Sequence, residues 1–262
     1  MSWGSRRKTK IILYFLLILF FIIGSLVIHK IRNIKPTCFD QKQNGDELGI
    51  DCGGVCQLEC KSLMQEENIL WQRSYEIDKG FYNSVAYIEN QNVYSGVKKV
   101  NYAFKLFDKN RILIAERSGE TYIEQNRAFV VFEQNIPVGE KIPVYTTFEF
   151  TSQIFWHRVD QNVKDMNIEV LEMNLNREDI KPRFEAKLNN LSVKQSISNI
   201  DVYVVLYDAN DNVIQVGKTF VPELKAREKK NIFVVWKKDF DVVPVRYEVI
   251  ARYNPFKQVF VK

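Results

Sequence analysis

"VNYAFKLFDKN", Val100 to Asn110, and "IDVYVVLYDAN", Ile200 to Asn210, stand 100 residues apart in the chain without a gap. In the first stretch large apolar side chains take every second position (Val100, Tyr102, Phe104, Leu106), with Asn101, Ala103 and Lys105 between them. Ile200, Val202, Val204 and Leu206 repeat the pattern. A period of two belongs to a β-strand with one buried face. Asp108-Lys109-Asn110 and the run from Asp208 to Asn212 then end each strand, because their side chains hydrogen-bond turns and tolerate left-handed backbone.

The likeness extends beyond these strands. Leu106/Leu206, Asp108/Asp208 and Asn110/Asn210 are identical, and Val100/Ile200 and Phe107/Tyr207 are physical equivalents. Upstream, "NQNV" from Asn90 answers "NLSV" from Asn190. Downstream, with small gaps, "FVVF" (Phe129 to Phe132) meets "FVVW" (Phe233 to Trp236), and "PVYTTFEF" from Pro143 meets "PVRYEVI" from Pro244. A period of this length is a duplicated domain, not a solenoid repeat. Other runs suited to strands recur at sandwich spacing, among them "FYNSVAYIEN", "RFEAKLNN" and "NVIQVGKTFV". The expected fold is all-β: tandem Ig-like or fibronectin-like β-sandwiches over residues 66–157 and 158–262, preceded by one transmembrane helix and a small Cys-rich segment. Val159 to Arg183, with charged clusters and Pro182, reads as the junction together with the first strand of the second copy.

The transmembrane expectation rests on "IILYFLLILFFIIGSLVI", Ile11 to Ile28, which carries no charge. As a helix it spans about 27 Å, close to the ~30 Å hydrocarbon layer. It exceeds the roughly 7 to 15 residue apolar core of a cleaved signal peptide, and no A-x-A-like site follows it; only Gly24-Ser25 suits cleavage. Cys38 lies too far beyond the run to accept a lipid. The reading is a cytoplasmic tip over residues 1–10 and a signal anchor over 11–31. Arg6, Arg7, Lys8 and Lys10 precede the span while Lys30, Arg32 and Lys35 follow it, a small bias toward a cytoplasmic N-terminus. Without those seven the formal charge of +5 becomes 30 basic against 32 acidic side chains. That balance argues against nucleic acid as a partner, since phosphate binding needs clustered Lys and Arg.

All four cysteines, Cys38, Cys52, Cys56 and Cys60, lie in "CFDQKQNGDELGIDCGGVCQLEC". Structural zinc sites use C-x2-C knuckles, and none occurs here. An even count in a short, Gly-bearing, core-less segment suits disulfides, which persist in oxidising compartments. Three pairings are open; the reading leans on loop crossing toward Cys38–Cys56 and Cys52–Cys60. Asp40, Asn44, Asp46, Glu47 and Asp51, around Gly45 and Gly49, are candidate calcium ligands by oxygen content, although they depart from the D-x-[DN]-x-[DN]-G loop. The competing reading is that they only build turns. No other cofactor is expected.

Two resemblances follow from these residues. The pattern C-x-D-x3-N-G-D-E-x-G-x-D-C-G-G-x-C-x3-C, with Asp51-Cys52-Gly53-Gly54 at its centre, resembles a cysteine motif of secreted and surface proteins of bacteria. It implies export and brings no catalytic residue. "FKLFD" (Phe104 to Asp108) and "VVLYD" (Val204 to Asp208) resemble the F-x-L-Y-D signature of small bacterial and archaeal β-sandwich domains carried behind membrane anchors. Phe107 replaces Tyr in the first copy and Val204 replaces Phe in the second, both keeping buried character. This likeness implies fold and location, not activity.

Catalytic signals are sparse. The chain has two histidines, His29 at the membrane boundary and His157 in "IFWHRV", and no G-x-S-x-G, Walker or H-E-x-x-H pattern. Asn190-Leu191-Ser192 matches a glycosylation sequon. Trp71, Trp156 and Trp236 suit packing more than a ligand face, and "LWQR" and "FWHR" suggest a repeated packing device. The functional expectation is a non-enzymatic structural or interaction protein of the cell envelope. It is membrane-anchored and single-pass, with its bulk extracytoplasmic and a protein or glycan as surface ligand. The alternatives are an accessory subunit of a secretion, pilus or transport complex and, third, a wall-polymer hydrolase with two close carboxylates.

Overall fold

The computed structural model describes residues 3–32, 37–160, 162–163, 166–177 and 181–258, with side chains inside the N-terminal helix described for residues 12–26. The chain divides into two compact units, Met1–Cys56 and Gln57–Lys262. The first contains helix α1 (Trp3–Arg32), whose sequence has no proline to interrupt its hydrogen-bond ladder. From Ile12 to Leu26 its large apolar side chains are exposed. Among the described residues no helix is long and apolar enough to cross a membrane. The side chains of tip residues 1–10 and of the flanking basic residues Lys30, Arg32 and Lys35 lie outside those described.

The second unit is all-β and antiparallel. Its strands are β1 (Asn68–Asp78), β2 (Phe81–Asn90), β3 (Ser95–Phe107), β4 (Leu113–Ile123), β5 (Arg127–Pro137), β6 (Tyr145–Phe150) and β7 (Trp156–Arg158), followed by β8 (Ile168–Asn176), β9 (Arg183–Asn190), β10 (Ile197–Tyr207), β11 (Val213–Leu224), β12 (Lys229–Val235) and β13 (Arg246–Arg252). Four sheets result, ordered β1-β2-β5, β4-β3-β6, β12-β9-β8 and β11-β10-β13, with β7 on the start of β3. The second pair of sheets reproduces the strand order of the first. Residues Gln57 to Glu59 run beside β7 through backbone bonds to Trp156 and Arg158, so the Cys-rich stretch 38–60 is divided at Cys56.

The equivalent turns are built alike. The Asp108 carboxylate accepts the N–H groups of Asn110 and Ile112, and Asp208 accepts those of Asn210 and Asn212, all at 2.8 Å. Arg111 and Asp211 take the left-handed backbone that closes each turn. Asn90 and Asn190, both buried, donate their amides to main-chain carbonyls, Ser95 and Glu124 in one copy and Gln195, Leu224 and Lys225 in the other. Each asparagine satisfies carbonyls that would otherwise be orphaned at a strand end. The sequon asparagine is therefore fully occupied inside the protein.

Three apolar cores separate the four sheets. Ala86, Ile88, Val100, Phe104, Leu106 and Phe129 fill the first copy, and Phe184, Leu188, Ile200, Val202, Val204 and Leu206 fill the second. A third core joins Val85 and Val130 to Tyr203, Val205, Tyr207, Val213, Val216 and Ile250. The β1-β2-β5 sheet thus lies against the β11-β10-β13 sheet, and the copies stack face to face rather than end to end. The expectation of β10 as a half-buried strand is corrected here. Val204 and Val205 are both 0% exposed, because β10 has a core on each face. On β3 the outer face is less fully covered: Asn101 is exposed and Lys105 half-buried, with Ala103 buried between them. At about 1.5 to 3 kcal/mol for each large apolar side chain removed from water, the third core stabilises the stack by on the order of 10 kcal/mol before entropy is counted.

Candidate functional site

The stapled segment is built by its own polar side chains. The Asp51 carboxylate accepts the N–H groups of Asp40 and Gln41 at 2.9 Å. Asp40 in turn accepts the Lys42 N–H and the Asn44 amide, and the Asn44 bond is the main cause of a carboxyl pKa below its ordinary value. Glu47 is 8% exposed and accepts the Asn44 N–H at 3.2 Å. Its other oxygen lies 3.3 Å from the Cys56 sulfur, which carries no proton to donate because Cys56 is bonded to Cys38. Cys52 and Cys60 are also oxidised, and no cysteine is free. Gly54 explains part of the D-C-G-G pattern: at φ +59° a Cβ there would stand 1.6 Å from the Asp46 carbonyl oxygen.

The five candidate calcium ligands do not converge on one point. Among the described residues the one group of three potential His, Cys, Asp or Glu ligands within 4.8 Å of each other is Cys38, Glu47 and Cys56, and two of these are consumed by the disulfide. Asp40 and Asp51 spend their oxygens on N–H donors that shape turns, and Asp46 contributes its backbone to the close approach of Gly54.

A second polar constellation, which motif reading does not reveal, ties the copies together. Arg252 and Glu124 form an ion pair with both side chains 3% exposed. Arg252 Nε donates to Glu124 Oε1 at 2.9 Å and Nη2 to Oε2 at 2.9 Å, while the remaining donors reach the carbonyls of Tyr122 and Val130. Tyr122 and Phe129 present ring faces 4.5 and 4.7 Å from the guanidinium carbon. Burial alone would lower the arginine pKa, but the Glu124 charge and its hydrogen bonds outweigh it and the pKa stands above its ordinary value. Nearby, the hydroxyls of Tyr87 and Tyr207 each donate at 2.7 Å to a different oxygen of Glu248. Burial, and then that carboxylate, raise both phenol pKa values.

At the end of the stack where β1 finishes and β11 begins, a cleft of about 630 Å³ opens between the copies. Tyr75 and Phe132 of the first copy and Trp236 and Phe240 of the second line it. The Tyr75 hydroxyl and the Trp236 Nε1 are buried without a hydrogen-bond partner. Of the four carboxylates in its wall, Glu76, Asp208, Asp239 and Asp241, two are held in structural roles: Asp239 pairs with Arg177 at 2.8 Å, and Asp208 closes its own turn. Hydrogen bonds, from Arg177 to one and from Asn212 to the other, lower both carboxyl pKa values. A general acid for glycoside cleavage needs the opposite shift, so neither Asp208 nor Asp239 suits that role.

Trp71 and Trp156 pack in different cores, so "LWQR" and "FWHR" are not one repeated device. Trp156 is 4% exposed in the first core, whereas Trp71 packs on Tyr87, ring centres 5.4 Å apart, at the third. His157 holds the Phe155 carbonyl through Nδ1 at 2.8 Å and lies edge-on to Phe256; burial lowers its pKa. Compared with known proteins, the chain matches no family and no curated protein.

Proposed function

We propose that this chain is a membrane-anchored, non-enzymatic interaction protein of the cell envelope. Its N-terminus is cytoplasmic, α1 is the retained signal anchor, and two Ig-like or fibronectin-like sandwiches are displayed outside. The observation that carries this reading is the oxidation of all four cysteines, which belongs to an oxidising compartment. The exposed apolar side chains from Ile12 to Leu26 support the anchor, since such a surface asks for lipid or a partner to cover it. The strand order β1-β2-β5 facing β4-β3-β6, repeated in the second copy, supports the sandwich assignment. It accords with the resemblance to F-x-L-Y-D domains, as the Asp51-Cys52-Gly53-Gly54 motif does with surface proteins.

Protease accessibility on intact cells, combined with mass analysis of the mature N-terminus, tests the reading. Digestion of residues beyond 57 from outside, with the apolar run still attached to the membrane fraction, is the expected result. Protection of those residues in intact cells, with digestion only after lysis, would refute it.

A further inference from the structure

The two ends of the second unit differ in charge. At one end Gln57 to Glu59 run beside β7, which pairs with the first residues of β3, so everything ahead of Gln57 is tethered there. The Arg252–Glu124 pair fixes which end of the second copy lies beside it, since Arg252 stands opposite Asp201 near the start of β10 and Glu124 follows β4. The second copy's loops at this end, 191–196 and 225–228, are joined by the Arg227 N–H on the Ser192 carbonyl at 3.1 Å. Leu191 and Val193 in the first of them are 52% and 60% exposed. Residues 191–195 and 223–230 carry five basic side chains, Lys194, Lys225, Arg227, Lys229 and Lys230, against two acidic ones, Glu223 and Glu228. Glu66 and Glu67 stand at the same end on the first copy's side, just after Gln65, whose N–H bonds Asn92, and Glu169 holds the Asn189 amide.

Among the described residues none of those five cations forms an ion pair, whereas on the sheet faces Lys99, Lys105, Lys187 and Lys218 all find carboxylates. Lys230 reaches only the Glu223 carbonyl, and the Glu228 carboxylate is taken by the Lys225 N–H. The opposite end exposes apolar side chains as well, Ile142 and Val243 among them, but its loops, 78–81, 108–112, 138–144, 208–212 and 236–245, hold six basic residues against seven acidic. Nor does the turn itself need cations. Asn126 and Arg227 take the same left-handed position and bond the neighbouring loop alike, at the Asn92 and Ser192 carbonyls. The first copy builds that turn with Glu124 and Asn126 where the second has Lys225 and Arg227. Unpaired cations around exposed apolar side chains make a surface suited to anionic lipid, the cations meeting headgroups while the apolar groups enter the interface.

We propose that the second copy's loops at this end dock on an anionic lipid surface, with the five cations facing headgroups and Leu191 and Val193 entering the interface. The proposal rests on the reading of α1 as a membrane anchor, which ties a bilayer through the chain to the end where Gln57 enters. The full chain carrying Val193→Cys, its one thiol free to label, is reacted with the fluorophore NBD and placed in nanodiscs of phosphatidylcholine, alone or with about 30% phosphatidylglycerol. Co-elution with the discs reads the anchor, and NBD emission reads the loop. With phosphatidylglycerol the emission is expected to shift to the blue and to be quenched by nitroxide-labelled lipid. Without it, or in about 0.5 M salt, neither occurs. A label at Val243→Cys, at the opposite end, stays in water in both discs. Lys225→Gln with Lys229→Gln removes two exposed, unpaired charges; at roughly fivefold for each cation, the docked-to-free ratio falls about 25-fold while the melting temperature holds. A Val193 label that stays in water in phosphatidylglycerol discs the chain has entered overturns the proposal, leaves the anchor standing and assigns the cations to a soluble acidic partner. Equal burial of the label without phosphatidylglycerol, or in the double glutamine variant, overturns it too. Failure of the chain to enter the discs overturns the anchor reading and the proposal with it.

Discussion

Replacing Glu124 by alanine leaves the Arg252 guanidinium buried between the copies with no counter-charge. Removing one partner of a buried ion pair costs about 3 to 5 kcal/mol, because the other charge stays desolvated. Arg252 retains the Tyr122 and Val130 carbonyls and two aromatic faces, so the loss falls at the lower end, about 3 kcal/mol. Urea unfolding of the full chain followed by tryptophan fluorescence measures it, with Trp71 reporting the third core and Trp156 the first. The paired substitution Glu124→Leu with Arg252→Met removes both charges and fills the space with apolar atoms. It is expected to lie within about 1 kcal/mol of the natural chain. The raised arginine pKa keeps the pair's contribution fully present below the ordinary arginine value, to be lost only as pH rises through the folded value. The two variants therefore keep their difference from pH 6 to pH 9. If Glu124→Ala changes stability by less than 1 kcal/mol, or the double variant is as damaged as the single, the pair does not hold the copies as argued.

Val205 stands where Lys105 stands in the first copy, so Val205→Lys imposes the first copy's residue on the second. With Val205 fully buried, a loss of about 3 kcal/mol or more is expected in urea unfolding, against less than about 0.5 kcal/mol for Lys105→Ala. Asp208 and Asp239 have carboxyl pKa values lowered in the folded state, so the stability they add is present above the unfolded pKa and is lost as pH falls through the folded one. Melting temperatures recorded from pH 6 down to pH 2 should fall less steeply for the Asp208→Asn, Asp239→Asn double variant. The Cys38–Cys56 bond closes a loop of separation 18, for which chain entropy predicts about 3 kcal/mol. Cys38→Ala with Cys56→Ala is expected to expose residues 38–56 to limited proteolysis, and equal resistance would show that the polar turns suffice. Calcium is expected to leave the protease resistance of that segment unchanged, because Asp40 and Asp51 are engaged by N–H donors.

Much of the candidate site was legible only as residue type. Oxidation of Cys38, Cys52, Cys56 and Cys60 follows from their even number and their spacing, and the Cys38–Cys56 bond is the one that loop crossing favours. Whether Asp40, Asn44, Asp46, Glu47 and Asp51 converge is another matter. Proximity in sequence does not say where an oxygen points, and here Asp40, Asp51 and Glu47 each turn carboxylate oxygens toward backbone N–H groups. One signal for the third core was in plain view. Between the core positions of β3 the chain places Asn101, Ala103 and Lys105, whereas β10 places Asp201, Tyr203 and Val205. Two copies of one strand whose outer faces differ in this way, polar in one and aromatic or aliphatic in the other, announce that one of those faces is covered.

The linear chain, taken alone, determined the all-β class, the duplication, and the turns at Asp108 and Asp208. Each of these depends on interactions among near neighbours: side-chain alternation along one strand, or a carboxylate reaching two to four residues ahead. Only the tertiary structure decided that the copies stack face to face, that Glu124 meets Arg252 across 128 residues, and that a cleft opens between Tyr75 and Trp236. Those contacts join positions with no local reason to meet. They arise because two sheets, each already covered on one side, had apolar side chains left on the other and could remove them from water only against each other.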